Sequence, residues 1–354
     1  MVLQLAGGSQ DKDASRRLAP ISKIALMTWL AACLIVGISS SAAMAAGPTP
    51  QTEASKEQVR KLVDTIKKHY ADAESLRDRR RAFEDLLEST PEPTRVQIRS
   101  VDVGGVDAQL IWPARLHHPL GRRAILYLHG GGFYSGSLRT HRAIAGSLAK
   151  AASADVLLVD YRLAPDSPYP AQIDDSLSAY RWLLDSGYES GNIIIVGDSA
   201  GGNLAIEATL RQMRVGGQLP AAVVAMSPIT DLVATAASLA ANNTDPLIGK
   251  DQLTLIRNAY LGTRSPSDPL ISPLYADMTG FPPLLLQVGS GDALLDDTLR
   301  LADRAKSAGV DVRTEIWPGM VHQWQLFPSL LDDARKSNQQ IADYAIEHFA
   351  DKPK

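Results

Sequence analysis

Residues 193–203 read IIIVGDSAGGN. Four consecutive β-branched residues, Ile193–Val196, suit a short strand buried on both faces. The small residues after them allow a tight turn, and a helical pattern begins near Asn203. A G-x-S-x-G between strand and helix carries its serine on strained backbone with a helix N-terminus behind it. Ser199 is therefore a candidate nucleophile. The bland alternative is a turn of small residues for close packing. The bare motif arises often by chance, but strand, helix and the further Gly202 together favour chemistry.

The same pattern recurs on either side. Ala124–Leu128, Val156–Val159, Ala221–Met226 and Leu284–Val288 are further continuous apolar runs, each followed by a helical pattern. Val310–Trp317 is a last strand before a helix from about Leu330 to Phe349. Val96–Val103 and Val106–Trp112, separated by Gly104-Gly105, read as a hairpin. The expected fold is α/β: an eight-stranded, mostly parallel sheet with helices on both faces. Upstream, Val59, Leu62, Val63 and Ile66 form one helical stripe, and Leu76, Phe83, Leu86 and Leu87 another. The expected organisation is a signal peptide or anchor in residues 1–46, a linker and helical cap in 47–93, and a catalytic domain in 94–354. Residues 230–266, too long for a plain connection, form a candidate lid.

In a parallel sheet, reactive groups gather at the carboxyl ends of strands. A serine hydroxyl needs a base, and the base needs an orienting acid. His322 follows the last strand in PGMVH, residues 318–322, and is the candidate base. His69 and His348 sit among charged helical residues and read as solvated. His117 and His118 fall in a loop, and His141 starts a helix. Asp292, in GSGD after the Leu284–Val288 run, is the candidate acid. Asp296 is its rival, and Asp297 reads as the first turn of the next helix. After Ala124–Leu128 comes His129-Gly130-Gly131-Gly132-Phe133. The amides of Gly131, Gly132 and Ala200 are the candidate oxyanion donors, and His129 reads as structural. No G-K-[ST] ending and no G-x-G-x-x-G spacing supports a phosphate cradle. Phe133, Tyr134 and Trp324 are candidate pocket residues, core packing being the alternative.

The 354 residues carry a net charge of -3 and a single cysteine, Cys33. These values offer no basic field for nucleic acid and no intramolecular disulfide or cysteine-based zinc site. No metal or cofactor is expected, and the expected partner is a small-molecule ester. Arg16, Arg17 and Lys23 precede an apolar stretch, Ile24–Ile38, of signal-peptide rather than membrane-span length, and Ala43-Met44-Ala45 fits a cleavage site. Export to the periplasm or medium is the expectation. Membrane attachment would follow only if the segment is retained or lipidated.

HGGGF at 129–133, DYRLAP at 160–165, GDSAGG at 197–202, SPITDL at 227–232 and SPLYADMTGFPPLLLQVGSGD at 272–292 together resemble the bacterial hormone-sensitive-lipase-like esterases of the GDSAG subgroup. Residues 272–327 resemble the acetyl hydrolases and monoterpene ε-lactone hydrolases in particular. The resemblance runs from about Leu110 to Phe349. It implies a serine carboxylic-ester hydrolase of the α/β-hydrolase fold, without metal or organic cofactor, and with an N-terminal helical cap. It carries over as Ser199, Asp292 and His322, with Gly131, Gly132 and Ala200 as oxyanion hole. It implies dimerisation through the last strand and helix. Many relatives have His-Gly-Phe where this chain has His322-Gln323-Trp324, and many lack an export signal. The expected substrates are short- to medium-chain acyl esters. A lactonase or amide deacetylase with the same machinery is the alternative, and a ligand-binding pseudoenzyme would need the loss of a triad member.

Overall fold

The computed structural model describes residues 51–88, 90–115 and 123–350. The expected leader, with Cys33, and the loop carrying His117 and His118 lie outside these residues. In chain order come α1 (Glu53–His69), α2 (Leu76–Glu88), β1 (Val96–Asp102), β2 (Asp107–Pro113), β3 (Ala124–Leu128), α3 (Leu138–Ala152), β4 (Asp155–Val159) and α4 (Ala171–Asp185). They are followed by β5 (Ile193–Asp198), α5 (Ala200–Arg214), β6 (Ala222–Met226), α6 (Ser238–Ala241), α7 (Lys250–Tyr260), β7 (Leu284–Gly289), α8 (Leu295–Ser307), β8 (Val312–Trp317) and α9 (Asp332–His348). The strands form one sheet in the order β1-β2-β4-β3-β5-β6-β7-β8. Strand β2 is antiparallel to β1 and to β4; every other neighbouring pair is parallel.

The continuous apolar strands are explained by what covers them. Along β5, Ile193 and Ile195 face one core, and Ile194 and Val196 face the other. The first core takes Ile173 from α4, Leu204 from α5 and Leu301 from α8. The second takes Ile144 and Leu148 from α3 and Ile341 from α9. Burying each such side chain contributes about 1.5–3 kcal/mol. Among the boundaries that differ from expectation, β8 begins at Val312, not Val310. The Val310 amide instead donates to the Ala305 carbonyl and closes the end of α8.

The cap is built as its two stripes dictate. Thr52 caps α1 by accepting from the Ser55 amide at 3.1 Å. Val59, Leu62 and Ile66 of α1 and Phe83, Leu86 and Leu87 of α2 join the second core, with Ile144 of α3 and Leu331 before α9. Arg80 of α2 reaches into the loops beneath. Its Nε donates to the Tyr134 carbonyl at 2.6 Å and its Nη2 to the Ala164 carbonyl at 2.9 Å. No helix among the described residues is long and apolar enough to cross a membrane.

Candidate active site

Ser199 sits between β5 and α5 with φ 54 and ψ -115, a backbone conformation costly for a residue with a side chain. The surrounding structure holds it there. The Ser199 amide donates to the Met226 carbonyl at 2.8 Å, and the Ser199 carbonyl accepts from Asn203 and Ile229. Gly201 passes so close to the carbonyl of Leu128 that any Cβ would collide with it, so this position of the motif is fixed by backbone packing. Helix α5 starts immediately after Ser199 and aims its N-terminus, and partial positive charge, at the serine.

Strands β7 and β8 bring the other two residues to the same edge. His322 Nε2 lies 2.8 Å from Ser199 Oγ. His322 Nδ1 lies 3.0 and 3.2 Å from the two carboxylate oxygens of Asp292. All three residues are buried. Burial alone would lower the imidazole pKa. The facing Asp292 outweighs it through charge and hydrogen bond, helped by Asp245 and Asp198, and holds the His322 pKa above its ordinary value. Asp292 is steadied in turn, since it accepts the Leu294 amide at 2.8 Å.

The glycine loop after β3 completes the arrangement. Gly131, with φ 113, and Gly132, with φ 62, take conformations that disfavour any side chain. The amides of Gly131, Gly132 and Ala200 donate to no protein acceptor among the described residues. Gly131 and Gly132 line a narrow cleft with Ser199 and His322. Its other walls include Tyr70 and Phe83 of the cap, Tyr134, and Leu247, Ile248 and Ile256 of the 230–266 segment. The cleft encloses only about 30 Å³. Larger hollows occur elsewhere, such as one of 510 Å³ beside Arg181, Arg211 and Arg214, but none of their lining residues is a nucleophile paired with a base.

Of the three aromatic candidates, only Tyr134 lines this cleft. Phe133 is fully buried and stacks on Tyr260 with ring centres 3.7 Å apart. Trp324 is fully buried against Trp317 in the core beneath α9. Both place large rings where apolar volume is needed, so the packing alternative holds for them. Asp296 is engaged elsewhere: its carboxylate accepts the Ser238 amide at 2.8 Å. Asp297, in the first turn of α8, is wholly buried and accepts the Thr230 and Asp231 amides. His69 is exposed, whereas His348 is half-buried with its ring 4.0 Å from that of Tyr344. His129 bonds its own loop, Nδ1 lying 2.8 Å from the Gly130 carbonyl, and its ring stacks on Tyr161. Burial, then the neighbouring His141, pushes its pKa down to about 3, so it stays neutral in ordinary buffers.

Sequence reasoning missed a hub. The buried Asp198 carboxylate accepts from the Gly130 amide at 3.1 Å, Tyr127 Oη at 2.9 Å and Gln323 Nε2, and faces His141 Nε2 at 3.3 Å. Burial would raise its pKa, but His141, by charge and hydrogen bond, then Gln323 and Tyr127, hold it below the usual carboxylate range. The hub ties the glycine loop, the nucleophile turn and the loop of the base into one unit. Gln323 adopts left-handed backbone, φ 57, to reach it. Asp245 was missed as well: it accepts the His322 amide at 2.8 Å. Its Asp-Pro dipeptide signals only a turn, and no local pattern points to His322.

Fold and geometry together define a class, the serine hydrolases built on a parallel sheet with the nucleophile at a strand–helix turn. A family described as alpha/beta hydrolase fold matches residues 125–326. An acetyl-hydrolase of Streptomyces hygroscopicus is 40% identical over 238 residues, covering 67% of this chain and 78% of the relative. An esterase of Acinetobacter venetianus is 37% identical over 268 residues, covering 75% of this chain and 87% of the relative. The crystal structure of an esterase from the bacterial hormone-sensitive lipase family superposes with a TM-score of 0.80 at 39% identity. It covers 85% of this chain and all of that one. The chain belongs to the α/β-hydrolase family, among its hormone-sensitive-lipase-like esterases.

Proposed function

We propose that the protein hydrolyses short- to medium-chain acyl esters through a Ser199–His322–Asp292 triad and an acyl-enzyme. One observation carries the reading: the continuous line from Ser199 Oγ through His322, 2.8 Å on one side and 3.0 Å on the other, to Asp292. Ser199 Oγ attacks the ester carbonyl as its proton passes to His322 Nε2. Negative charge on the carbonyl oxygen is met by the amides of Gly131, Gly132 and Ala200 and by the N-terminus of α5. Asp292 holds the imidazole in its reactive orientation and stabilises the imidazolium. The proton then passes to the departing alkoxide and the alcohol leaves. Water attacks the acyl-enzyme, giving its proton to His322, and the carboxylic acid departs as Ser199 regains a proton.

The cleft supports the short end of the substrate range. The cleft is narrow, about 30 Å³, with Tyr70, Phe83 and Ile256 among its walls. A long chain requires Tyr70, Phe83 or Ile256 to move. Initial rates on p-nitrophenyl acetate, butyrate and laurate, alongside a lactone panel, test this. The expected kcat/KM falls at least about tenfold from the two short esters to laurate, since a closed pocket discriminates by size. Fastest turnover of laurate, or of a lactone, would contradict it.

A further inference from the structure

The candidate base is held by a residue outside the triad. Asp245 lies in the loop between α6 and α7, and its side chain points two ways. Oδ2 accepts the backbone amide of His322 at 2.8 Å. Oδ1 accepts the amides of Leu247 at 2.9 Å and Ile248 at 3.2 Å, closing a turn whose two apolar side chains line the cleft. One carboxylate thus joins the wall of the acyl cleft to the backbone of the base.

We propose that Asp245 is a positioning residue for His322, keeping the imidazole aligned between Ser199 and Asp292 and coupling that alignment to the Leu247–Ile248 wall of the cleft. The inference rests on the triad reading above. Its physical basis is the angular tolerance of proton transfer. His322 is followed by Gln323 in left-handed backbone and precedes a short helical turn, Trp324–Leu326. No strand or helix fixes the His322 backbone. The Asp245 tether on one side and the Gln323–Asp198 bond on the other supply that constraint. Charged groups facing the imidazole are Asp292 from the β7–α8 loop, Asp245 from the α6–α7 segment and Asp198 from the end of β5. Burial, then the nearby Asp292, pushes Asp245 up to about 6, against the opposing pull of His322 and the backbone bonds. It is therefore mainly ionised at neutral pH, and its charge favours the imidazolium.

Asp245→Asn separates the two arms. The asparagine oxygen can keep both turn bonds to Leu247 and Ile248, leaving its NH2 group facing the His322 N–H, donor against donor. The tether to the base is cut while the cleft wall is spared. Misalignment of this kind costs on the order of tenfold to a hundredfold. The expected result is a kcat on p-nitrophenyl butyrate reduced by that factor, with KM within about threefold of wild type. The acid limb of the kcat/KM profile should move to lower pH because a negative charge beside the imidazolium is gone. Asp245→Ala, which also opens the turn, should raise KM in addition. Circular dichroism confirms that each variant is folded before assay. Wild-type kcat in Asp245→Asn, or a loss confined to KM with the acid limb unmoved, would overturn the proposal. Ser199→Ala, assayed in parallel, tests the triad reading separately: retained activity there would sink that reading whatever Asp245→Asn does.

Discussion

The described residues include two buried hydroxyl–histidine–carboxylate lines at the same end of the sheet. Ser199, His322 and Asp292 form one, with contacts of 2.8 and 3.0 Å. Thr140, His141 and Asp198 form the other. Thr140 Oγ1 lies 2.8 Å from His141 Nδ1, and His141 Nε2 lies 3.3 Å from Asp198. Residue types and burial are nearly the same, yet the two hydroxyls are placed differently. The Thr140 hydroxyl donates to the Ser137 carbonyl and accepts the Ser137 amide at 2.9 Å, so it is occupied as part of the cap of α3. Asp198 is saturated by its other donors. The Ser199 turn, by contrast, shares a cleft with Gly131 and Gly132 and runs directly into Ala200 at the head of α5. Residue composition alone therefore does not separate the two lines. What makes a nucleophile is a hydroxyl on a strained turn, next to a base at the mouth of a cleft and donors with nothing yet to hold.

Removing each hydroxyl breaks the symmetry most sharply. Ser199→Ala should lower kcat by on the order of 10⁶-fold, as loss of a triad nucleophile does elsewhere. Thr140→Val should leave kcat within about threefold and cost only about 1–2 kcal/mol of stability, from its lost hydrogen bonds. Comparable activity losses in the two variants would erase the distinction. The carboxylates sharpen it at smaller scale. Asp292→Asn should lower kcat by about 10⁴-fold through the wrong imidazole tautomer. Its acid limb should shift to lower pH. The sign follows from the His322 pKa, which the facing carboxylates hold above the ordinary histidine value. The neutral, active base therefore forms only at higher pH in the wild type, and removing a negative charge lets it form sooner. Asp198→Asn should cost less activity, about tenfold to a hundredfold, through a loosened oxyanion loop. It should show a clear fall in Tm, since a buried carboxylate with four donors loses its charge. A thermal melt and a pH–rate profile on the two variants distinguish them.

The same contrast explains how much of the chain was legible. The sheet was readable because a strand covered on both faces must be apolar at every position, and Ile193–Val196 and Ala124–Leu128 advertise that directly. Ser199 and Asp292 each lie just past such a strand and His322 just past β8, whose residues VRTEIW are mixed, and the topology brings the ends of these strands together. The cap stripes were readable from helical period. The Asp198 hub was not, since its partners come from three separate places, Tyr127 and Gly130 from β3 and its loop, His141 from α3 and Gln323 from the loop after β8, and meet only in the fold. His141 reads from the sequence only as the start of a helix, and in the fold it is wholly buried. Phe133 and Trp324 adjoin the motifs and resemble pocket residues, but side-chain direction is set by tertiary packing, which turned both into core. Asp245 is a loop aspartate before proline, and nothing local ties it to a histidine 77 positions away.

The most direct measurement is to react the folded protein with a fluorophosphonate ester and locate the adduct by peptide mass spectrometry. One phosphonyl group is expected, on the peptide carrying Ser199, and none after Ser199→Ala or after denaturation. A folded, ester-hydrolysing protein that takes up no label, or carries it on another residue, would rule out Ser199 as the nucleophile.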